Sequence, residues 1–224
     1  MLIDVVIPAL DEEEALPHVL AAIPEGAVRR VVVADNGSRD RTAEVAREAG
    51  AEREPRRGYG AACLKALAHL RHDPPDVVVF LDGDHSDHPE ELPRLLAPIE
   101  RGEADLVVGS RALGRAERGA LTPQQRVGNA IACVALRLVY GARYTDLGPF
   151  RAIRWEALER LGMVDLDYGW TVEMQIKAAR RRVAHAEVPV SYRRRIGVSK
   201  VSGTLRGTLG ASRKILWVLA RHAR

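Results

Sequence analysis

Apolar residues fall in short continuous runs along the first half of the chain, at residues 2–7, 31–34, 77–81 and 106–108. Runs this short and β-branched, apolar toward both faces, read as strands of a parallel sheet buried between helices. Between them the pattern changes to amphipathic helices at residues 12–23, 41–49, 60–70 and 89–99, which supply the crossovers of βαβ units. The expected class is α/β, a mostly parallel central sheet flanked by helices. Thr122-Pro123 offers an N-cap and a first turn for a helix running to about residue 139. Further helices are expected at 155–161 and 170–181, with a strand at 183–190. No repeat and no low-complexity linker interrupts residues 1–202, which read as one domain, and residues 203–224 read as a last basic amphipathic helix.

Charge changes the picture by region more than in total. The chain holds 34 Lys and Arg against 30 Asp and Glu. Residues 180–224 take 12 of the basic residues and one acid, Glu187, leaving 22 against 29 elsewhere. An acidic body with a basic tail suits an anionic partner such as a phosphate or a lipid surface, and it also suits a merely solvated arginine-rich face. On a helical wheel the last segment places Leu205, Leu209, Ser212, Leu216 and Leu219 on one face and Arg206, Lys214 and Arg221 on another, with Trp217 near the basic side. Such a helix lies on an anionic membrane or packs on the domain or a second subunit, so a homo-oligomer stays open. The longest apolar run, around Ile131 to Leu136, stops at Arg137, far short of the roughly 20 residues that cross a bilayer. Peripheral rather than spanning association is expected. The two cysteines, Cys63 and Cys133, sit in helical patterns, and Met1-Leu2-Ile3-Asp4 already reads as strand, which points to a cytoplasmic setting. Nucleic acid is not an expected partner.

In open α/β sheets, ligands bind outside the carboxyl ends of the strands. Those positions are unusually polar here: Pro8-Ala9-Leu10-Asp11-Glu12-Glu13-Glu14, Asp35-Asn36-Gly37-Ser38-Arg39-Asp40, and Asp82-Gly83-Asp84-His85-Ser86-Asp87. Asp11, Glu13 and Asp40 serve equally well as helix caps. Asp35, held at a strand end, can accept the N–H groups of a base. Asp82 and Asp84 would face opposite ways in extended chain, but a turn at Gly83 lets both reach one cation, and their hard oxygens suit magnesium or manganese on a diphosphate. His85 and His88 read as capping or surface residues, and Trp155 and Trp170 as core or cleft wall.

The runs IPALDEEE, VADNGSRDRT, RGYGAACLKAL, FLDGDHSDHPEEL, GSR, DLGPFRAIRWEAL and RRRIGVSKVSG, in this order, resemble family 2 glycosyltransferases. Within that family the chain is most similar to the dolichol-phosphate-mannose-synthase-like branch, over nearly its whole length. The resemblance implies the GT-A fold and transfer of sugar from a nucleotide-sugar donor to a polyprenyl phosphate. By position it implies that Pro8, Leu10, Glu12 and Asp35 hold the base and ribose, and that Gly58 and Gly60 let the backbone approach the nucleoside. It implies Asp82, Asp84 and Ser86 as ligands of Mg2+ or Mn2+. Toward the acceptor it implies Ser110, Arg111, Arg126, Asn129, Asp146, Arg151, Glu173, Arg195, Ser199 and Lys200, and arginine forks with a lysine suit a phosphate. Arg195-Ile196-Gly197-Val198-Ser199-Lys200 matches the branch's R-x-G-x-S-K stretch without a gap. Two departures stand out: Asp146-Leu147-Gly148-Pro149-Phe150-Arg151 replaces the usual Ser-Gly-Phe-Arg, and no transmembrane run follows.

The expected chemistry is a single inverting displacement, with metal and basic side chains stabilising the leaving nucleoside diphosphate. A phosphate acceptor is already anionic, whereas a hydroxyl acceptor needs a carboxylate base, for which Glu173 or Asp146 is the candidate. A haloacid-dehalogenase phosphatase would carry its Asp pair after the first strand, and a dinucleotide fold would need a third glycine after Gly58-x-Gly60, in the first βα turn. A non-catalytic membrane-surface protein keeping the fold is the remaining alternative.

Overall fold

β1 (Ile3–Ala9) is buried along its whole length, as a strand must be when helices cover both faces of a sheet. In the computed structural model, which describes residues 1–47, 52–53 and 56–197, β1 pairs in parallel with β2 (Arg30–Asp35) and β4 (Val77–Phe80). β3 (Glu52–Arg53) adds outside β2, and β6 (Arg151–Arg154), β5 (Leu106–Ala116) and β7 (His185–Tyr192) extend beyond β4. The order is β3-β2-β1-β4-β6-β5-β7, and among these strands only β6 is antiparallel to its neighbours.

Successive residues of the central strands point to opposite faces. Val6, Val78 and Phe80 pack with residues of α3 (Tyr59–Leu70), α5 (Pro123–Tyr140), α6 (Trp155–Leu161) and α7 (Trp170–Arg180). Val5, Ile7, Val77 and Val79 pack with residues of α1 (Leu16–Ala22), α2 (Thr42–Ala46) and α4 (Leu92–Glu100). Each fully buried Leu, Val or Phe in these layers contributes roughly 1.5–3 kcal/mol. Thr122 caps α5 as expected: its hydroxyl accepts from Gln125 N–H at 3.2 Å, and the Gln125 side chain accepts from Thr122 N–H at 2.8 Å. Gly141 closes that helix in the left-handed region.

Three elements differ from expectation. α1 starts at Leu16 rather than residue 12, because Glu12 N–H is given to Thr42 Oγ1 at 2.8 Å, pinning this loop to the one after β2. β5 runs on to Ala116, its outer part pairing with β7 across an irregularity between Ser110 and Arg115. β6 went unread because an Arg-Ala-Ile-Arg run looks like surface. Arg151 is nevertheless fully buried, its guanidinium donating to the carbonyls of Gly148, Leu147 and Thr171. The end of the helix expected at 41–49, the helix at 203–224 and the residues Ser199 and Lys200 lie outside the described residues.

Candidate active site

The carboxyl ends of β1, β2 and β4 open onto one cleft of about 690 Å³, lined among others by Pro8, Leu10, Asp11, Glu12, Asn36, Gly58, Tyr59, Asp82, Asp84, Arg111 and Arg195. This is the size of a small-molecule site. The loops that form its floor are stitched together. Asp11 accepts from Arg39 N–H at 2.8 Å, and its own N–H donates to Ser38 Oγ at 2.9 Å. Asp40 accepts from Thr42 N–H at 3.0 Å and from Glu13 N–H at 3.1 Å, joining the loops after β1 and β2, while the N-cap position of α2 is Arg41. Asn36 accepts from Gly58 N–H at 2.8 Å, tying the 56–58 loop to the end of β2.

After β4 the chain turns through the acidic loop. Asp84 is 3 % exposed; its Oδ1 accepts from Ser86 N–H at 2.8 Å, and its Oδ2 pairs with the Arg195 guanidinium. Asp87 Oδ2 accepts from Asp82 N–H at 3.2 Å. Burial, and then the neighbouring Asp84 carboxylate, push Asp82 up to about 7, with Arg195 opposing. Burial followed by Asp82 and Asp84 push Asp87 well above the ordinary carboxylate range. Asp82 Oδ1 and Asp87 Oδ1 are buried without a hydrogen-bond partner. Orphaned carboxylate oxygens in an acidic corner fit a hard cation such as magnesium or manganese. Among the described residues no group of three or more His, Cys, Asp or Glu side chains is arranged to hold an ion. Asp82 and Asp84 would therefore supply part of a shell that substrate phosphates complete, a common arrangement for magnesium. Ser86 is buried, does not line the cleft, and its Oγ, like the two carboxylate oxygens, has no hydrogen-bond partner. His85 lies 5.4 Å from the His18 ring, and His88 pairs with Glu90.

The opposite wall is basic. Arg111 reaches the cleft from β5, its guanidinium 5.1 Å above the Tyr192 ring. Asp146 clamps it bidentately, at 2.8 Å from Nε and 2.6 Å from the second nitrogen, and also accepts Arg111 N–H at 2.7 Å. Asn129 donates to Thr145 C=O and accepts from Leu147 N–H, fixing the same loop. Ser110 is buried and shares a 2.7 Å hydrogen bond with Thr145. The segment after β7 is held just as firmly: Arg193 N–H donates to Ser86 C=O and Ile196 N–H to Asp84 C=O. Arg193 and Arg194 side chains bind the carbonyls of Asp87 and Arg118, which is structural.

Several expected assignments need correction. A Cβ at Gly58 would lie 2.0 Å from Leu166 O and one at Gly60 2.0 Å from Asp165 O, so both glycines admit the 165–167 loop; Gly58 also lines the cleft, while Gly60 does not. Asp35 is buried, accepts Ser38 N–H at 3.0 Å and does not line the cleft; Asn36 does. Arg126 is exposed on α5 and points elsewhere, while Gln124, Gln125 and Asn129 face the cleft. Glu173 is 1 % exposed, bound to Val164 and Asp165 N–H and to Lys177, and so cannot act as a base in the cleft. Asp146 has both oxygens committed to Arg111 and is likewise a poor base. Tyr59, Arg57, Tyr168 and Tyr192 line the cleft unforeseen; single aromatics and arginines carry no spacing signal. Trp170 is buried against Phe80 and reaches the cleft wall, as expected.

The profile described as "Glycosyl transferase family 2" matches residues 4–188. An uncharacterized glycosyltransferase of Mycobacterium tuberculosis is 42% identical over 211 residues, covering 92% of this chain and 93% of that protein. An undecaprenyl-phosphate mannosyltransferase of Micrococcus luteus is 31% identical over 219 residues, covering 90% and 88%. Among solved structures, glucosyl-3-phosphoglycerate synthase from Mycobacterium tuberculosis in complex with Mn2+ and UDP-glucose superposes with a TM-score of 0.75 at 26% identity, covering 99% of this chain and 79% of that one. The same synthase has also been crystallised with phosphoglyceric acid.

Proposed function

Since the chain belongs to glycosyl transferase family 2, in its dolichol-phosphate-mannose-synthase-like branch and with the GT-A fold, we propose that it transfers a hexose from a UDP- or GDP-sugar to a polyprenyl phosphate, inverting the anomeric carbon. The observation that carries this reading is the pairing of an acidic corner, Asp82 and Asp84, with a basic one, Arg111 and Arg195, in a single cleft. The donor's base and ribose lie along Pro8, Leu10, Glu12 and Asn36. Asp82 and Asp84 would hold Mg2+ or Mn2+, which when bound would supply positive charge toward the leaving diphosphate. Arg111, pre-aimed by Asp146, and Arg195 receive the acceptor phosphate.

An acceptor phosphate oxygen attacks the anomeric carbon, and the bond to the diphosphate breaks with its electron pair leaving on the nucleotide. No proton has to be removed from such an acceptor. Both carboxylates considered as bases, Asp146 and Glu173, are spent on structural bonds, which favours the anionic acceptor over a hydroxyl. Among the described residues no helix is long and apolar enough to cross a membrane. Calorimetry with UDP-glucose and GDP-mannose, with and without Mn2+, tests the donor half. Binding of one of them that requires the metal and is lost in Asp84→Asn supports it; binding indifferent to both contradicts it.

A further inference from the structure

Among the described residues one face of α5 is left uncovered. Ala132, Cys133 and Leu136 pack into the core, while Val127, Ile131, Val134 and Leu138 are 58, 53, 56 and 79% exposed. Their spacing puts these four in one narrow stripe on the side away from the packed face. Single exposed aliphatics are ordinary, but a contiguous row along a helix marks an interaction surface. The charges around it all have one sign. From Arg118 to Thr145 the chain carries four arginines, at 118, 126, 137 and 143, and no acid, and all four are exposed. By helical geometry Arg126 and Arg137 fall along one edge of the stripe. Gln124 and Gly128, one turn before Val127 and Ile131, fall along the other edge, and both line the cleft.

We propose that this face of α5 docks on an anionic lipid surface. A helix so patterned lies in the plane of the interface, its apolar side buried about 5–10 Å at the boundary of headgroups and acyl chains and its cations among the lipid phosphates. Val127, Ile131, Val134 and Leu138 supply the apolar side, and Arg126 and Arg137 supply the charge. A second copy of the chain fits less well: two such helices paired antiparallel about a two-fold axis bring the arginine edge of one against the arginine edge of the other. On a lipid surface the edge of Gln124 and Gly128 sets the cleft beside the headgroups, where a phosphate carried on a lipid has to enter. Arg126, which points away from the cleft, meets its anion there. The proposal deepens the lipid-phosphate reading of the cleft and rests on it, while binding to vesicles that hold no polyprenyl phosphate is measured apart from it.

The test uses the full chain and cosedimentation with such vesicles. Wild type binds phosphatidylglycerol vesicles, and phosphatidylcholine vesicles more weakly. Ile131→Asn/Leu138→Asn, which changes no charge, lowers the partition coefficient at least about tenfold. Arg126→Gln/Arg137→Gln lowers it several-fold and reduces its dependence on salt. Binding undiminished in Ile131→Asn/Leu138→Asn overturns the proposal, and so does a wild-type dimer that these changes convert to monomer without lipid, which gives the face to a second copy. A polarity-sensitive fluorophore gives a second reading, since Cys63 and Cys133 are buried. Attached at Leu138→Cys it shifts to the blue on phosphatidylglycerol vesicles; attached at Arg94→Cys, exposed on α4 across the sheet, it does not. No shift at position 138, or an equal shift at both positions, overturns the proposal. Transfer to lipid phosphate without vesicle binding sinks this surface alone, and vesicle binding without such transfer sinks the acceptor reading alone.

Discussion

The guanidinium of Arg195 pairs with the carboxylate of Asp84, bringing together residues 111 positions apart in sequence. The pair joins the acidic loop after β4 to the segment after β7, and it sets a cationic side chain beside the carboxylate proposed to hold the ion. If Asp84 ligates the ion as proposed, Arg195 would compete with metal for it and would be freed toward phosphate on metal binding. Arg195→Ala should bind Mn2+ several-fold more tightly by calorimetry, because an opposing charge is removed. Its kcat/KM for transfer should fall by about 10²–10³-fold, the usual cost of losing one charge-stabilising donor. Weaker Mn2+ binding in this variant would refute the competition.

Asp82→Asn and Asp84→Asn should each lower turnover by about three orders of magnitude if the pair holds the ion that stabilises the leaving group. Without metal the thermal midpoint should stay level or rise in Asp82→Asn, which removes one of several crowded buried carboxylates, while Asp84→Asn also loses its ion pair with Arg195 and should fall modestly. A large drop in midpoint with activity intact would assign the pair a structural role instead.

Gly60→Ala puts a methyl group where Asp165 O already sits. It should cost about 1–3 kcal/mol through overpacking and weaken donor binding by moving the 165–167 loop. Gly128→Ala is the control: it lies within α5 with nothing within 4 Å of its Cβ, and it should stabilise by up to about 1 kcal/mol through helix propensity. Chemical denaturation reads both, and equal midpoints for the two variants would contradict the loop contact.

Asp146→Ala strands the Arg111 guanidinium in a nearly buried setting and should cost about 3–5 kcal/mol. Glu173→Gln weakens the hold on Val164 and Asp165 N–H and should cost about 1–3 kcal/mol. Neither change should remove a limb from the pH profile of kcat. A lost acidic limb with an unchanged midpoint would restore either residue as a general base, since activity rises with pH as a base loses its proton.

Much of the fold was legible because buried parallel strands write themselves as short aliphatic runs, and β1, β2 and β4 appeared where Val and Ile cluster. The 122–140 helix was legible from Thr122 and Pro123. β6 was not, because Arg151 satisfies its charge with backbone carbonyls that only the folded chain supplies. In the site, Asp82 and Asp84 were readable from their position after a strand. The partners that redefine Asp146 and Glu173 were not, since Arg111 and the 164–165 amides come from other parts of the chain. Gly58 and Gly60 were rightly singled out for close approach, but what approaches is a protein loop.

The most direct measurement is transfer of labelled hexose from UDP-glucose and GDP-mannose, with Mn2+, to a short-chain polyprenyl phosphate, with phosphoglyceric acid as the competing acceptor. Label should move from one donor to the lipid phosphate, give an anomerically inverted product, and stop moving in Asp84→Asn. Label that passes to phosphoglyceric acid and never to the lipid phosphate would contradict the assignment.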